Sequence, residues 1–514
     1  MRTLVVASRL APLVASFVRD HRRWLVGGRP VARDAAFHAR RAERLTRTLG
    51  ELGPVFVKLA QLLATRADLV PEPYLTALGA LADQVPTVPA AEIRREIEAA
   101  YGRPVDEVFE GFDDVPLAAA SLGQVHRARH DGEEIVVKVL RPDIERLVHA
   151  DVRATRRLID LALRRWPNPH LRGLRNAVAE FGARVWEELD FEREAANAQA
   201  MRDNFAGRAG VAVPRVVHAL TRKRVLVLEY MRGTRIDRLQ ARVADGSLDA
   251  TTLVRRVIEL YMHMMLVDGF FHADPHPGNL LVADDGTIVV LDFGMVVRVP
   301  RAQRRTLART AFAGIRRDVD GLVEGFYALG VAESGADRAT LRELIETLLE
   351  VAYAPLTTTV ERMNLLADRV LATMYDFPVT LPSDLVYFAR TAALIEGLGT
   401  RYDARFNAVT FAAPVALKLR GPIMASLREP GEIGEPALGI DWAWIVGRTA
   451  GEVARVVQRA GRDVLGILGR VFAGGVTWGA PSNGGGARAL TPRSGATRTG
   501  ETRALPSGEL DAAD

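Results

Sequence analysis

The stretch "FFHADPHPGNLLVADDGTIVVLDFG" gathers the side chains best suited to chemistry. Asp274 precedes Asn279 by five residues, and Asp292 opens an Asp-Phe-Gly. A carboxylate beside an acceptor hydroxyl, with an amide and a second carboxylate to hold Mg²⁺ on phosphates, is the equipment of phosphoryl transfer. A D-x-x-x-x-N loop followed by strand, turn, strand and D-F-G delivers those groups in a kinase-type C-lobe. His272 and His276, four apart, offer a rival reading as zinc ligands on one helix face. Pro275 and Pro277 oppose that helix, and no third ligand is evident.

Upstream, "PLAAASLGQVHRA" carries Ala118-x-Ala120-x-x-Gly123-x-Val125. That is the frame of a phosphate-cradling glycine loop with its first two glycines turned into alanines. Alone, it is equally an alanine-rich turn. Lys138 follows in "IVVKVLRP", where a strand lysine soon after such a loop reaches α- and β-phosphates. By itself Lys138 reads more simply as a solvated strand residue; Asp274, Asn279 and Asp292 tip the balance. Of 68 basic residues only Lys58, Lys138, Lys223 and Lys418 are lysines. A compact point charge is what lysine offers and arginine's planar fork does not. The segment "EELDFEREAANAQAMRDNF" reads as helix and holds Glu187, Glu188, Asp190, Glu192 and Glu194. Spacing does not choose among these as the partner of Lys138.

The surrounding elements must position these groups. The chain is mostly helical in pattern to about residue 110, with a helix starting after Pro54 and a stop at Pro71 and Pro73. Short strands follow, including "EEIVVKVLRP" and "RVLVLEYMRG", separated by a helical region from Ile144 to about Asn204. After Asp249 the pattern is helical again, interrupted by "NLLV" and "TIVVLDF" joined at "ADDG". The N-terminal stretch reads as an amphipathic helix interrupted at Pro12, and Trp442 to Phe472 as a second, arginine-rich one. The tail after about 478 is poor in apolar residues and is expected to be disordered. With 514 residues, 48% apolar and 25% charged, the chain has room for two or three domains. A net charge of +5 does not call for a nucleic-acid partner. The absence of cysteine excludes disulfides and thiolate sites and fits a reducing compartment. No run reaches the roughly 18 apolar residues of a spanning helix.

These motifs, in this order, resemble the UbiB (AarF-like) family of atypical protein-kinase-like proteins. The likeness is strong over residues 40–300 and looser beyond. It implies an α+β, two-lobe kinase-like fold with a helical extension over the nucleotide pocket and extra C-terminal helices. The expected layout is an extension at 1–104, an N-lobe with inserted helices at 105–235 and a C-lobe at 236–430. An amphipathic helix at 431–478 and the tail complete it. The resemblance implies that Asp274, Lys138 and Glu194 are catalytic and that Asn279 and Asp292 hold Mg²⁺. It places the nucleotide, ATP or ADP, against Ala118, Ala119, Ala120, Ser121, Gly123 and Val125, with Lys138, Glu229 and Met231. It makes Lys58, Gln61, Glu188 and Asp190 a pocket gate. Lys58 is expected to pair with Glu188 or Asp190, and Lys138 with Glu194. The family's K-x-G-Q is here Lys58-Leu59-Ala60-Gln61, so a methyl stands where the family has glycine.

The loop and the missing platform qualify the activity. Alanine resists the positive φ and close approach that glycine allows, so "AAAS" should give a stiffer turn. After Asp292 the chain runs almost directly into a helix, with no A-P-E and no long activation loop. A peptide kinase lacks its substrate platform without that region. The expectation is Mg²⁺–nucleotide binding with slow ATP hydrolysis or phosphorylation of a small or lipid-like acceptor. A nucleotide-gated scaffold without turnover is the alternative. The resemblance further implies isoprenoid-quinone biosynthesis or lipid handling at a membrane. The expected location is cytoplasmic, with any contact to the inner face of the cell membrane peripheral, because no segment can span.

Overall fold

A computed structural model describes residues 2–20, 33–64, 70, 73–81, 85–165, 169–274, 276–332, 335–353, 383–402, 406 and 408–428. All of these fall within one compact unit, Met1–Thr449. The amphipathic segment expected at 442–472 and the tail expected to be disordered lie outside the described residues.

The helical extension comprises α1 (Arg2–Asp20), α2 (Ala35–Leu52), α3 (Pro54–Leu63), α4 (Tyr74–Ala80), α5 (Ala90–Tyr101) and α6 (Val105–Val108). Contrary to the expected interruption, α1 runs straight through Pro12. The missing N–H of Pro12 falls on the exposed side, while Val6 and Leu13 pack into the body and hold the helix together. Arg2 fixes the start of α1, donating to the Leu52 carbonyl and pairing with the buried Asp151. Helix α3 begins as expected, with Pro54 at its first position after Gly53, whose φ is 111°.

The N-lobe sheet contains β1 (Gly111–Phe112), β2 (Ala118–Ala119), β3 (Gly123–His130) and β4 (Glu133–Leu140). Its last strand, β6 (Val225–Glu229), arrives after three inserted helices and the short β5 (Val211–Ala212). The order is β1-β3-β4-β6, with β2 paired to β3. Alternation along β4 decides which side chains reach the cleft. Ile135, Val137 and Val139 pack with Ile93 and Ile97 of α5. Lys138, one residue out of phase, therefore faces the opposite side. Gly123 is required by this pairing: a Cβ there would lie 2.6 Å from the Val139 carbonyl oxygen. Gly123→Ala is expected to destabilise the fold by about 1–3 kcal/mol through overpacking. Denaturant unfolding checks this; an unchanged midpoint would return Gly123 to a purely nucleotide-binding role.

The inserted helices are α7 (Ile144–Arg165), α8 (Pro169–Glu188) and α9 (Phe191–Asn204). The acidic segment read as one helix is thus broken. Asp190 caps α9, accepting hydrogen bonds from the amides of Glu192 at 3.1 Å and Arg193 at 3.4 Å. Beyond β6 come β7 (Thr234–Arg235), α10 (Gln240–Ala244), α11 (Ala250–Met262), β8 (Phe270–His272), β9 (Leu280–Val282), β10 (Ile288–Val290) and β11 (Val296–Arg298). Strands β9 and β10 form the expected antiparallel pair, with β5 parallel to β10. Strand β8 pairs with β11, so the residues before Asp274 lie beside those after Gly294. The C-lobe continues with α12 (Arg301–Arg316), α13 (Val319–Ala328), α14 (Arg338–Tyr353), α15 (Ser383–Tyr402), α16 (Ala408–Lys418) and α17 (Arg420–Leu427). Only Met295 separates the Asp-Phe-Gly from β11, leaving no room for an activation loop. Among the described residues no helix is long and apolar enough to cross a membrane.

Candidate active site

Between the lobes lies a cavity of about 60 Å³ whose wall includes Lys58, Lys138, Glu188, Glu194, Asp274 and Asp292. These residues come from α3, β4, α8, α9 and the loops after β8 and β10. Lys138 Nζ donates to Glu194 Oε1 at 2.7 Å and to Asp292 Oδ2 at 3.3 Å. Glu194 reaches the strand because α9 starts at the Asp190 cap and buries Ala195 and Ala198 against the body. The same helix donates from Asn197 to the Phe293 carbonyl at 3.1 Å, so it also fixes the Asp-Phe-Gly turn. Gly294 contributes its amide to Asp292 Oδ1 at 2.9 Å.

Lys58 pairs with one of the two expected carboxylates. Lys58 Nζ lies 2.6 Å from Glu188 Oε2, both side chains being less than one-fifth exposed. Asp190 is occupied as a helix cap instead. Gln61, one turn beyond Lys58, is half-buried and does not line the cavity. Ala60 is fully buried, so its methyl is accommodated in the core where α3 packs on α7 and α8.

The alanine segment divides. Ala118 and Ala119 are strand β2, in register with Val125 and Gln124, and neither they nor Val125 line the cavity. Only Ala120, Ser121, Leu122 and Gly123 do. The turn is tied at both ends: the Ala120 amide donates to the Gly123 carbonyl at 2.8 Å, and Arg141 donates to the Ala120 carbonyl at 3.0 and 3.1 Å. Arg141 also holds Pro86 at 2.7 Å. Glu229 and Met231 flank the connection between lobes, outside the cavity wall. The Glu229 carboxylate accepts from the Arg215 amide at 3.0 Å.

Asp274 has a partner that its sequence neighbourhood does not reveal. Arg390 of α15 donates to Asp274 Oδ1 at 2.8 Å. Phe388 packs on Phe271 with ring centroids 5.0 Å apart, and Arg184 of α8 lies over Tyr387 at 4.9 Å. Asn279 donates its amide to the Asp274 carbonyl at 3.0 Å, which leaves its side-chain oxygen for another ligand.

Burial and charge set the ionisation. Burial pushes Asp292 up, but Lys138, His272, the Gly294 amide and Lys58 outweigh it and hold the carboxyl well below its ordinary range. Asp274 is likewise lowered: burial opposes, and Arg390 and Lys58 prevail. Burial wins at Glu188 and Glu194, raising both against their lysines, Glu194 to about 7. Both lysines are raised, the carboxylates outweighing burial, and stay charged. The site thus sets Lys58, Lys138 and Arg390 against Asp274 and Asp292, which are held charged, and against Glu188 and Glu194, whose charge burial opposes.

His272 ends β8 and is buried, and burial lowers its pKa against the pull of Asp292 and Asp274. His276 instead accepts from the Gly278 amide at 3.1 Å as the cap of a 3₁₀ turn. The two histidines share no helix, which removes the geometric basis of the zinc reading. Among the described residues no cluster of three or more His, Asp or Glu side chains is arranged to hold a metal. Magnesium asks for less, binding through one or two protein oxygens together with phosphates. The charged Asp292 carboxylate fits that demand; Asn279 is not part of the cavity wall, and its side-chain oxygen is the second candidate ligand.

The sequence matches the ABC1 atypical kinase-like domain over residues 80–326. "Uncharacterized protein sll1770" of Synechocystis sp. is 32% identical over 441 residues, covering 83% of this chain and 75% of its own. Protein ACTIVITY OF BC1 COMPLEX KINASE 7, chloroplastic, of Arabidopsis thaliana is 32% identical over 423 residues, covering 81% of this chain and 60% of its own. Among solved structures, that of the Rv3197–erythromycin complex from Mycobacterium tuberculosis superposes with a TM-score of 0.53 at 25% identity. It covers 74% of this chain and 97% of that one. The similarity runs well beyond the catalytic motifs, and by it the chain belongs to the ABC1 (UbiB) family of atypical kinase-like proteins.

Proposed function

We propose that this protein binds Mg²⁺–ATP between its lobes and transfers the terminal phosphoryl group slowly, to water or to a small or lipid-like acceptor. The observation that carries this reading is the convergence of Lys138, Glu194, Asp274 and Asp292 on one cavity from four separate elements. In that reading Lys138 neutralises the inner phosphates and Glu194 orients it. Asp292 and Asn279 hold the magnesium ion, which supplies charge neutralisation along the phosphates. Asp274 orients the acceptor hydroxyl.

The volume adds a condition. About 60 Å³ is far below the roughly 300 Å³ or more of a small-molecule pocket. A nucleoside triphosphate fits only after α3 and the phosphate-side turn separate, so the Lys58–Glu188 pair acts as a gate. The same observation favours a second reading, a scaffold whose opening by nucleotide is itself the output. Measuring phosphate release from Mg-ATP by the full chain, against Asp274→Asn, separates the two. The enzyme reading expects release that falls at least about 100-fold in the variant. Equal rates, or none in either protein, would leave the scaffold.

A role in quinone or lipid handling at a membrane surface is part of the proposal. Its support here is the outer face of α1, where Leu4, Val5 and Val14 are exposed while Val6 and Leu13 dock on the body. Flotation with anionic vesicles is expected to weaken on converting Leu4 and Val14 to serine. Unchanged flotation would remove α1 from the membrane contact.

Releasing the phosphate-side turn is a further test. Arg141→Met removes both bonds to the Ala120 carbonyl, so the turn opens more readily and Mg-ATP affinity is expected to rise a few-fold. Calorimetry checks this; weaker binding would mean that the tether positions the turn for phosphate.

A further inference from the structure

We infer that Arg390 is the catalytic arginine of this site, resting on Asp274 and passing to the terminal phosphoryl group of bound Mg-ATP. This deepens the phosphoryl-transfer reading and rests on it.

The cavity wall itself contains no arginine; its cations are Lys58 and Lys138. Lys138 is occupied by Glu194 and Asp292, and Lys58 by Glu188. In the proposed loaded site Lys138 serves the inner phosphates and Lys58 sits on the helix that moves aside, so neither meets charge that develops at the acceptor end. Arg390 stands at that end, 2.8 Å from the acceptor-side carboxylate. Asp274 is its one hydrogen-bond or ion-pair partner among the described residues, so most of the five guanidinium N–H donors are unspent. Its side chain is about one-fifth exposed, neither locked in the core nor loose in solvent. A planar fork matches phosphoryl oxygens in a way that an ammonium does not.

The helix that delivers it is anchored at both ends. Near Arg390, Phe388 packs on Phe271 and Tyr387 on Arg184. At the far end Tyr402 donates to the Ile236 carbonyl and Arg401 to the Asp237 carbonyl, each at 2.9 Å. The backbone is therefore fixed, and only the side chain has to swing from carboxylate to phosphate. In the transfer the bond from the terminal phosphorus to the bridging oxygen breaks, and ADP leaves with that electron pair. The acceptor oxygen bonds to phosphorus and its proton passes to the Asp274 carboxylate, directly or by way of water. A guanidinium moving from Asp274 to the phosphoryl oxygens releases the first group as it neutralises the second.

The rival is a clamp that merely silences Asp274. The test uses the full chain as wild type, Arg390→Ala and Arg390→Lys, with matched melting curves. Calorimetry measures Mg-ADP and a non-hydrolysable Mg-ATP analogue. The expected result is Mg-ADP affinity within about twofold of wild type in Arg390→Ala, with the triphosphate analogue weakened about tenfold or more. Arg390→Lys should recover part of that loss. Capture of ADP with aluminium fluoride should be lost in Arg390→Ala, and phosphate release should fall by about 1,000-fold. Equal weakening of both nucleotides, or of neither, would overturn the assignment. Faster phosphate release in Arg390→Ala would also overturn it, in favour of the clamp. If wild type binds Mg-ATP but releases no phosphate, the turnover reading fails, while the comparison of the two nucleotides still decides whether Arg390 meets the terminal phosphate.

Discussion

Asp292→Asn is expected to weaken magnesium-dependent nucleotide binding by more than about 100-fold while leaving the protein folded. The carboxylate is charged at neutral pH because Lys138, Lys58 and the Gly294 amide outweigh its burial. Its loss removes the proposed metal ligand and one of the two carboxylates that the cleft holds charged. The fold should survive because Lys138 keeps Glu194 at 2.7 Å and the asparagine oxygen can still accept from Gly294. Calorimetry with and without magnesium reads the effect directly. Wild-type affinity in the variant, at saturating magnesium, would count against the kinase-like reading of the cleft as a whole.

Lys58→Met should cost about 3–5 kcal/mol of stability, because it strands the Glu188 carboxylate in a site that is 13% exposed. Part of that cost is recoverable by protonation. Burial already raises Glu188, and without Lys58 nothing in direct contact opposes the rise. A carboxyl raised in the folded state holds a proton that the unfolded chain gives up above its ordinary range of about 4.3. The variant should therefore lose stability as pH rises from there through the folded value, and the deficit relative to wild type should be larger at pH 8 than at pH 5. Denaturant unfolding at the two pH values checks the sign. Adding Glu188→Gln should restore most of the loss while leaving the gate open. A double variant no more stable than Lys58→Met would show that Lys58 acts through some other contact.

Much of this site was legible because its parts are local. Asp274 and Asn279 share one loop, and Asp292 follows across a hairpin whose turn is written as "ADDG". Alternation along "EEIVVKVL" puts Lys138 on the face opposite Ile135, Val137 and Val139, so its facing direction could be read from period two. The choice of Glu194 from five neighbouring acids came from the family motif, not from spacing. The physical reason lies in a break that helix propensity conceals: one helix ends at Glu188 and Asp190 caps the next, which sets the phase that brings Glu194 to the strand and leaves Glu188 for Lys58. "ELDFEREAA" has no glycine or proline to announce that break. The alanines were legible as a departure from glycine but not as a strand, because their pairing with Val125 and Gln124 is decided by β3. Arg390 left no signal at all. It lies 116 residues from Asp274 and reaches it through the packing of α15 on β8, α8 and α11.

The placement of the cations bears on where the functional unit ends. The matched atypical kinase-like domain covers residues 80–326, which includes Glu188, Glu194, Asp274 and Asp292 but only Lys138 among their partners. Lys58 precedes that stretch and Arg390 follows it. A fragment cut at those boundaries would carry four carboxylates around one ammonium, and would have to take up protons or counter-ions to stay closed. The recognisable domain is thus an electrostatic half-product, completed by one helix on either side of it. Gene fusions or truncations that respect the domain boundaries would break the site, whereas exchanges that keep residues 58 and 390 with the core would preserve it.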